Sequence, residues 1–156
     1  MDAFNEVPHS LSPQSIRMLH TVCLAHNRIS ILDPTPFQQM VNLANLDVSF
    51  NELKRMAFSA GMDLPGTLTN IDMSHNHIAR ITGLGKCFDL RVLNLSHNEI
   101  AFIENLERLT LLNKLDLSHN ALVDLPKAVG CALGIDRGAR LRLPGFPIPP
   151  DSIACC

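Results

Sequence analysis

Four histidines recur at one place in a repeating phrase. His26, His75, His97 and His119 each stand immediately before an asparagine, and Phe50 holds the same slot before Asn51. Imidazoles ligate divalent metals and titrate near neutral pH, so a regular row of them suggests a metal site or a pH reporter. Ser49, Ser74, Ser96 and Ser118 directly precede these rings. Asp47, Asp72 and Asp116 lie two residues before three of those serines, with Asn94 and Cys23 in the same slot. Serine, histidine and aspartate are the ingredients of nucleophilic hydrolysis. Their arrangement argues against it. Each residue type keeps to its own register, so parallel neighbours point the same way and like sits beside like. No buried acid is evident to orient an imidazole. A row with a spacing of about 5 Å between strands also leaves no obvious three-ligand metal site. His75-Asn76-His77 is a lone H-x-H, and Gly83-Leu84-Gly85-Lys86 reads as a turn fragment rather than a phosphate cradle. No P-loop, G-x-G-x-x-G or H-E-x-x-H motif occurs. The expectation is no catalytic residue, no cofactor and no metal.

The elements that place these residues are written in apolar positions. Leu90, Leu93, Leu95 and Asn98 spell L-x-x-L-x-L-x-x-N. The phrase also runs through Leu112, Leu115, Leu117 and Asn120; Leu68, Ile71, Met73 and Asn76; Leu43, Leu46, Val48 and Asn51; and Leu19, Val22, Leu24 and Asn27. The asparagines at 76, 98 and 120 are 22 residues apart, and the earlier intervals, 27 to 51 and 51 to 76, are 24 and 25. The pairs 93/95 and 115/117 have period two and suit a short strand with one buried face. Ile100, Ile103, Leu106, Leu109 and Leu112 recur every third residue, which suits a 3₁₀-like or loosely helical segment. Neither half can bury its own stripe, so the units must stack, with strands parallel and a core between the two layers. An asparagine amide satisfies backbone groups in the tight turn leaving each strand. The longer second unit carries Asp33-Pro34-Thr35-Pro36-Phe37, where Thr35 is expected to cap a helical turn that turns Phe37 and Met40 inward. The third carries an insertion around Gly61 and Pro65-Gly66.

These five copies resemble the leucine-rich repeat family. The 22-residue units with Ile or Leu at every third position are similar to its SDS22-like subclass. The resemblance covers residues 16–125 and implies a right-handed curved solenoid of about five repeats. Its short parallel β-sheet would be concave, its convex side 3₁₀ or helical, and its class α/β. Members of the subclass are intracellular and bind proteins. They include a regulatory subunit of protein phosphatase 1, axonemal dynein light chains and assembly factors, and a spliceosomal protein. The aromatic and acidic concave residues of the phosphatase regulator are mostly missing here. In this family a histidine often holds the slot before the asparagine, with its ring packed over the turn.

The flanks read differently. Residues 1–15 are expected to be a cap or tail, with Ser12-Pro13 starting a short helix over the first repeat's open edge. Residues 126–156 are expected to be a cap or disordered tail. Beyond Leu125 the 22-residue rule fails, finding Arg137, Ala139 and Arg142 where apolar residues and an asparagine are due. Leu141, Leu143 and Phe146 offer a slipped last strand, against four prolines in the stretch 144–150. Cys155-Cys156 resembles the doubly prenylated end of small vesicle-traffic GTPases, but no other feature does and C-a-a-X spelling is absent.

Composition narrows the classes. The chain has 156 residues, one domain by size, with 46% hydrophobic and 18% charged residues. A net charge of -2 gives no broad basic footprint, so no nucleic acid is expected. No apolar run reaches membrane-spanning length, and the first ten residues do not spell a secretory signal. The five cysteines make no metal-ligand spacing, and no cysteine-clustered cap of the kind seen in secreted members precedes Leu19. A cytoplasmic monomer with reduced thiols is expected, with a nuclear or ciliary/cytoskeletal placement as the alternative.

The expected function is a non-catalytic intracellular protein-protein interaction scaffold that binds a partner on its concave face. A regulatory or targeting subunit of an enzyme complex such as protein phosphatase 1, or a component of an axonemal or cytoskeletal assembly, is the alternative. The expected contact residues are Asp47, Asn70, Asp72, Arg91, Asn94, Lys114 and Asp116, with Ser49, Ser74, Ser96 and Ser118 also facing out. An aspartate row would favour a basic partner surface. The competing account is that Leu-Asp-Leu-Ser is the common spelling of this repeat, with aspartate present for solubility and local hydrogen bonds. Asn27, Asn51, Asn76, Asn98 and Asn120 form the structural ladder.

Overall fold

In each repeat three residues of period-two pattern are all that separate two turns, so each strand is three residues long. A computed structural model describes residues 12–55, 63–123 and the strand 140–142. The strands are β1 (Thr21–Cys23), β2 (Asn45–Asp47), β3 (Asn70–Asp72), β4 (Val92–Asn94), β5 (Lys114–Asp116) and β6 (Arg140–Arg142). They form one sheet, every pair parallel, in the order of the chain. The central apolar residue of each strand is paired in register with that of the next: Val22, Leu46, Ile71, Leu93, Leu115, Leu141. The fold is thus a parallel-strand leucine-rich-repeat solenoid. β6 falls inside the stretch expected as cap or tail. Leu141 pairs with Leu115, 26 residues on, so this last interval is four residues longer than the two before it. The rest of 124–156, with Cys131 and the terminal cysteine pair, lies outside the described residues.

The core is the repeated stripe itself. Leu43, Leu68, Leu90 and Leu112 are buried, as are Leu46, Ile71, Leu93 and Leu115 beneath the sheet. Val48, Met73, Leu95 and Leu117 complete the strand layer at 0% exposure, and Ile78, Ile81, Leu84, Cys87, Ile100, Leu106 and Leu109 face them from the other side. The every-third spacing there has a backbone cause. The amide of Cys87 donates to Leu84 O, that of Leu90 to Cys87 O, that of Leu109 to Leu106 O and that of Leu112 to Leu109 O, at 3.0–3.1 Å. These are successive i to i−3 bonds, which bring every third side chain to the same face. In the second unit they extend to a full 3₁₀ turn, Pro36–Gln39, with Phe37 and Met40 buried. Thr35 does not cap it through its side chain. Asp33 Oδ1 accepts the Thr35 amide at 2.8 Å instead, and the Thr35 hydrogen bonds hold the Asp33 carboxyl below its ordinary range. In the third unit Gly66 is needed for room: a Cβ there would stand 2.7 Å from the carbonyl oxygen of Lys86.

Helix α1 (Pro13–Arg17) starts as the sequence suggests, with Ser12 accepting the Ser15 amide at 3.1 Å. It crosses the boundary expected at residue 15, and Ile16 and Leu19 pack against the core while remaining partly exposed.

Adjacent repeats are joined by the asparagine amides. Asn98 Nδ2 donates to Met73 O of the preceding repeat and to Leu95 O and Ser96 O of its own, at 3.0–3.2 Å. Its Oδ1 accepts the amide of Ile78 at 2.9 Å. Asn51, Asn76 and Asn120 repeat the pattern. Asn27, half-buried in the first repeat, reaches only its own turn, at Leu24 O and Ala25 O. Substituting Asn98 by Ala strips buried backbone groups of two repeats, and a loss of about 1–3 kcal/mol is expected in chemical denaturation. Asn27→Ala should cost less, because it leaves no neighbouring strand unpaired; equal losses would show that the inter-repeat bonds carry no stability.

Candidate protein-interaction surface

The strand residues that flank each buried leucine face the concave side. Strand register aligns them in rows: Asp47 beside Asp72, Asn94 and Asp116, and Asn45 beside Asn70, Val92 and Lys114. Arg91 lies one residue before β4, exposed, as are Asn70 and Lys114, whereas Asp47, Asp72, Asn94 and Asp116 are half-buried. The structure therefore brings together all seven residues expected as contacts. Six of them, all but Arg91, line an open depression of about 250 Å³ with Thr21, Asn45 and Val92. It is shallow and small beside the enclosed clefts that take up small molecules, which suits an extended surface contact.

The aspartates also do local work. Asp47 Oδ1 accepts both the amide and the hydroxyl of Ser49, at 3.0 and 2.7 Å. Asp72 does the same for Ser74 at 2.9 and 2.7 Å, and Asp116 for Ser118 at 3.0 and 2.6 Å. Asn94 uses its Oδ1 in the same way for Ser96, at 3.1 and 2.8 Å. The local hydrogen-bond account of the Leu-Asp-Leu-Ser spelling thus holds at all three aspartates, each of which ties down its turn with one oxygen. The second oxygens of Asp72 and Asp47 take hydrogen bonds across the strands. Asn94 Nδ2 donates to Asp72 Oδ2 at 3.0 Å, and Cys23 Sγ to Asp47 Oδ2 at 3.7 Å. The amide at 94 interrupts what would be a run of four like charges.

The serines correct an expectation. Ser49, Ser74 and Ser96 are buried, at 5–8% exposure, and do not face out of the strip. The chain has already turned inward at the strand end, and each hydroxyl is spent on its own repeat's Asp or Asn.

The ring residues take left-handed backbone geometry, with φ of 58, 53, 53, 54 and 56° at His26, Phe50, His75, His97 and His119. Their rings do not merely cover their own turns. They stack on one another, His26 on Phe50 at 4.4 Å between centroids and each later pair at 4.1 Å, with interplanar angles of 10–14°. The period of 22 to 25 residues signals the row, but the face-to-face contact follows only from strand register. In such a stack the nitrogen lone pairs lie in parallel ring planes and cannot converge on one ion at about 2.0–2.1 Å. Among the described residues no group of three His, Cys, Asp or Glu could hold a metal.

Two thiols fall among the described residues. Cys23 is exposed at the edge of the strip; Cys87 is fully buried in an Ile/Leu slot, where burial, helped by the charge of Asp63, pushes its pKa up to about 12.

Residues 17–78 match a leucine rich repeat family model, and residues 89–109 match a second leucine rich repeat model. Among solved structures the chain is similar to an internalin from Listeria monocytogenes, at 25% identity and a TM-score of 0.64, over 91% of this chain and 41% of that one. It is similar to a leucine-rich-repeat protein from Leptospira interrogans at 28% identity and a TM-score of 0.64, over 84% and 32%. A Listeria monocytogenes internalin C2 shares the fold at 23% identity and a TM-score of 0.55, over 74% and 46%. The chain spans less than half the length of each. No match is found among curated proteins.

Because Asn94 already makes the turn bonds of an aspartate, Asp47→Asn should change stability by less than about 0.5 kcal/mol, whereas Asp47→Ala should lose about 1–2 kcal/mol. Paired urea titrations check this. For the thiols, peptide-resolved iodoacetamide labelling at pH 8 should modify Cys23 in the native chain and Cys87 only after denaturation, since the Cys87 thiolate is scarce well below pH 12. Native labelling at Cys87 would contradict the packing.

Proposed function

The chain belongs to the leucine-rich repeat family, and from that premise we propose that it is a non-catalytic scaffold that seats a protein partner on its concave face. Members of this family are generally protein-interaction modules. The observation that carries the choice of face is the alignment of Asp47, Asp72 and Asp116 in one register row along the strip. Three carboxylates in one row favour a partner with a basic face, chiefly by steering encounter and fixing orientation. Asn94 stands within the row, and Asn70, Arg91 and Lys114 border it and supply donors and acceptors at its rim. Arg91 and Lys114 restrict the favourable basic surface to the half nearer β2 and β3 and admit an acidic group on the partner near β4 and β5.

The same proposal places the chain in the SDS22-like subclass, on the strength of the 22-residue units and the Ile or Leu at every third position. It takes the chain to be a cytoplasmic monomer with reduced thiols that does not bind nucleic acid, the net charge of -2 offering no basic footprint.

Structure guides the test. Asparagine preserves the turn bonds, so Asp47/Asp72/Asp116→Asn removes charge without removing the brackets. Wild type and this variant, matched for circular dichroism, would be used to capture partners from cell extract at physiological salt. Partners bound by the wild type should be lost or weakened by at least tenfold in the variant, and wild-type capture should fall as salt rises. Identical capture by both proteins would remove function from the concave row.

A further inference from the structure

The ring stack combines two roles in the same residues. The rings of His75, His97 and His119 are in direct succession at 4.1 Å, and Phe50 stands between this run and His26. The backbones of those residues also bind repeat to repeat. The amide of His75 donates to Ser96 O at 3.0 Å, that of His97 to Ser118 O at 2.9 Å, and that of Asn76 to His97 O at 3.2 Å. Neutral imidazoles stack well face to face. Imidazolium rings at that distance repel, and 4.1 Å lies well inside the screening length of about 8 Å at physiological salt.

We propose that His75, His97 and His119 form a proton-operated seam: charging the three stacked rings pushes their repeats apart and loosens the inter-repeat hydrogen bonds that those residues carry. Phe50 acts as the spacer that keeps His26 out of the coupled run. The proposal does not depend on which face binds a partner.

The groups facing the central ring are few. His75 and His119 lie on its two faces, and Asp116 is the charge that opposes them. His77 and Glu99, two residues beyond the stack positions, pair with each other at 2.8 Å. Removal from water, and then the two flanking rings, hold His97 below the ordinary imidazole value despite Asp116. The sign follows. Below pH 6.5 the unfolded chain takes up a proton that the folded chain resists. The contribution of His97 to stability is therefore complete above about pH 6.5 and is lost as pH falls from there through the lower folded value.

The chain supplies its own control. Phe50 shows that the slot accepts a phenyl ring, at the same left-handed φ and in the same stack. In the full chain, H97F should keep the stack and break the run of charges, and F50H should lengthen it to five imidazoles. Thermal unfolding by circular dichroism at pH 7.5 and 5.5 should show a fall in Tm on acidification in the wild type. The fall should be smaller by at least about 3 °C in H97F and larger in F50H. An equal fall in the wild type and H97F would overturn the proposal. If H97F does not fold at pH 7.5, the His97 ring titration is followed by NMR in the wild type and in H75F. The midpoint should lie below 6.5 and rise when the flanking imidazole becomes a phenyl; a midpoint that does not move would overturn the proposal equally.

Discussion

The solenoid depends on one kind of contact, a buried side-chain amide reaching from one turn into the strand before it. Three-residue strands offer few ladder hydrogen bonds, and a repeat of 22 to 25 residues cannot close a core alone. Asn51, Asn76 and Asn98 are each under 9% exposed and meet carbonyls of two repeats while accepting an amide from a convex segment. Left unpaired, those backbone groups would be costly in an apolar interior. The amide satisfies them in a fixed geometry, and so fixes how far apart successive turns stand. Leucine packing then fills the space which that spacing defines.

The same economy governs the surface. One turn must be held on its outer side as well, and the Asp or Asn two residues before the serine does this with a single oxygen. At Asp47 and Asp72 the second oxygen accepts a hydrogen bond from a neighbouring strand. A residue chosen to build a turn therefore becomes, without further design, part of a regular polar array. Regularity of this sort arises from construction, and a partner that exploits it meets groups already immobilised, with less conformational entropy to lose on binding.

Much of this was legible in the phrase itself. Leucines at 90, 93 and 95 followed by Asn98, five times over, specify strand, buried face and turn, because period two, period three and the need to satisfy a tight turn are local constraints. The helix start at Ser12-Pro13 was legible for the same reason. What depends on neighbouring repeats was harder to read. The serines appear in the sequence as alternate, outward residues, but the strands end at Asp47, Asp72, Asn94 and Asp116, before the alternation reaches them. Thr35 looked like a cap, yet the preceding Asp33, two residues from the amide, has the shorter path. β6 escaped the 22-residue rule because its unit is four residues longer, and register with β5 is set by pairing rather than by counting. The ring stack required knowing that five left-handed turns superimpose.

Because the amide brackets and strand pairings all run along the stacking direction, they are arranged in series from β1 to β6. A force drawing the two ends of the solenoid apart would act in full on every interface, and the weakest would yield first. Such a body behaves as a spring that yields turn by turn, at a low and repeated load, and each turn can close again on its neighbour as a template. Extensibility is thus written into the direction of the hydrogen bonds.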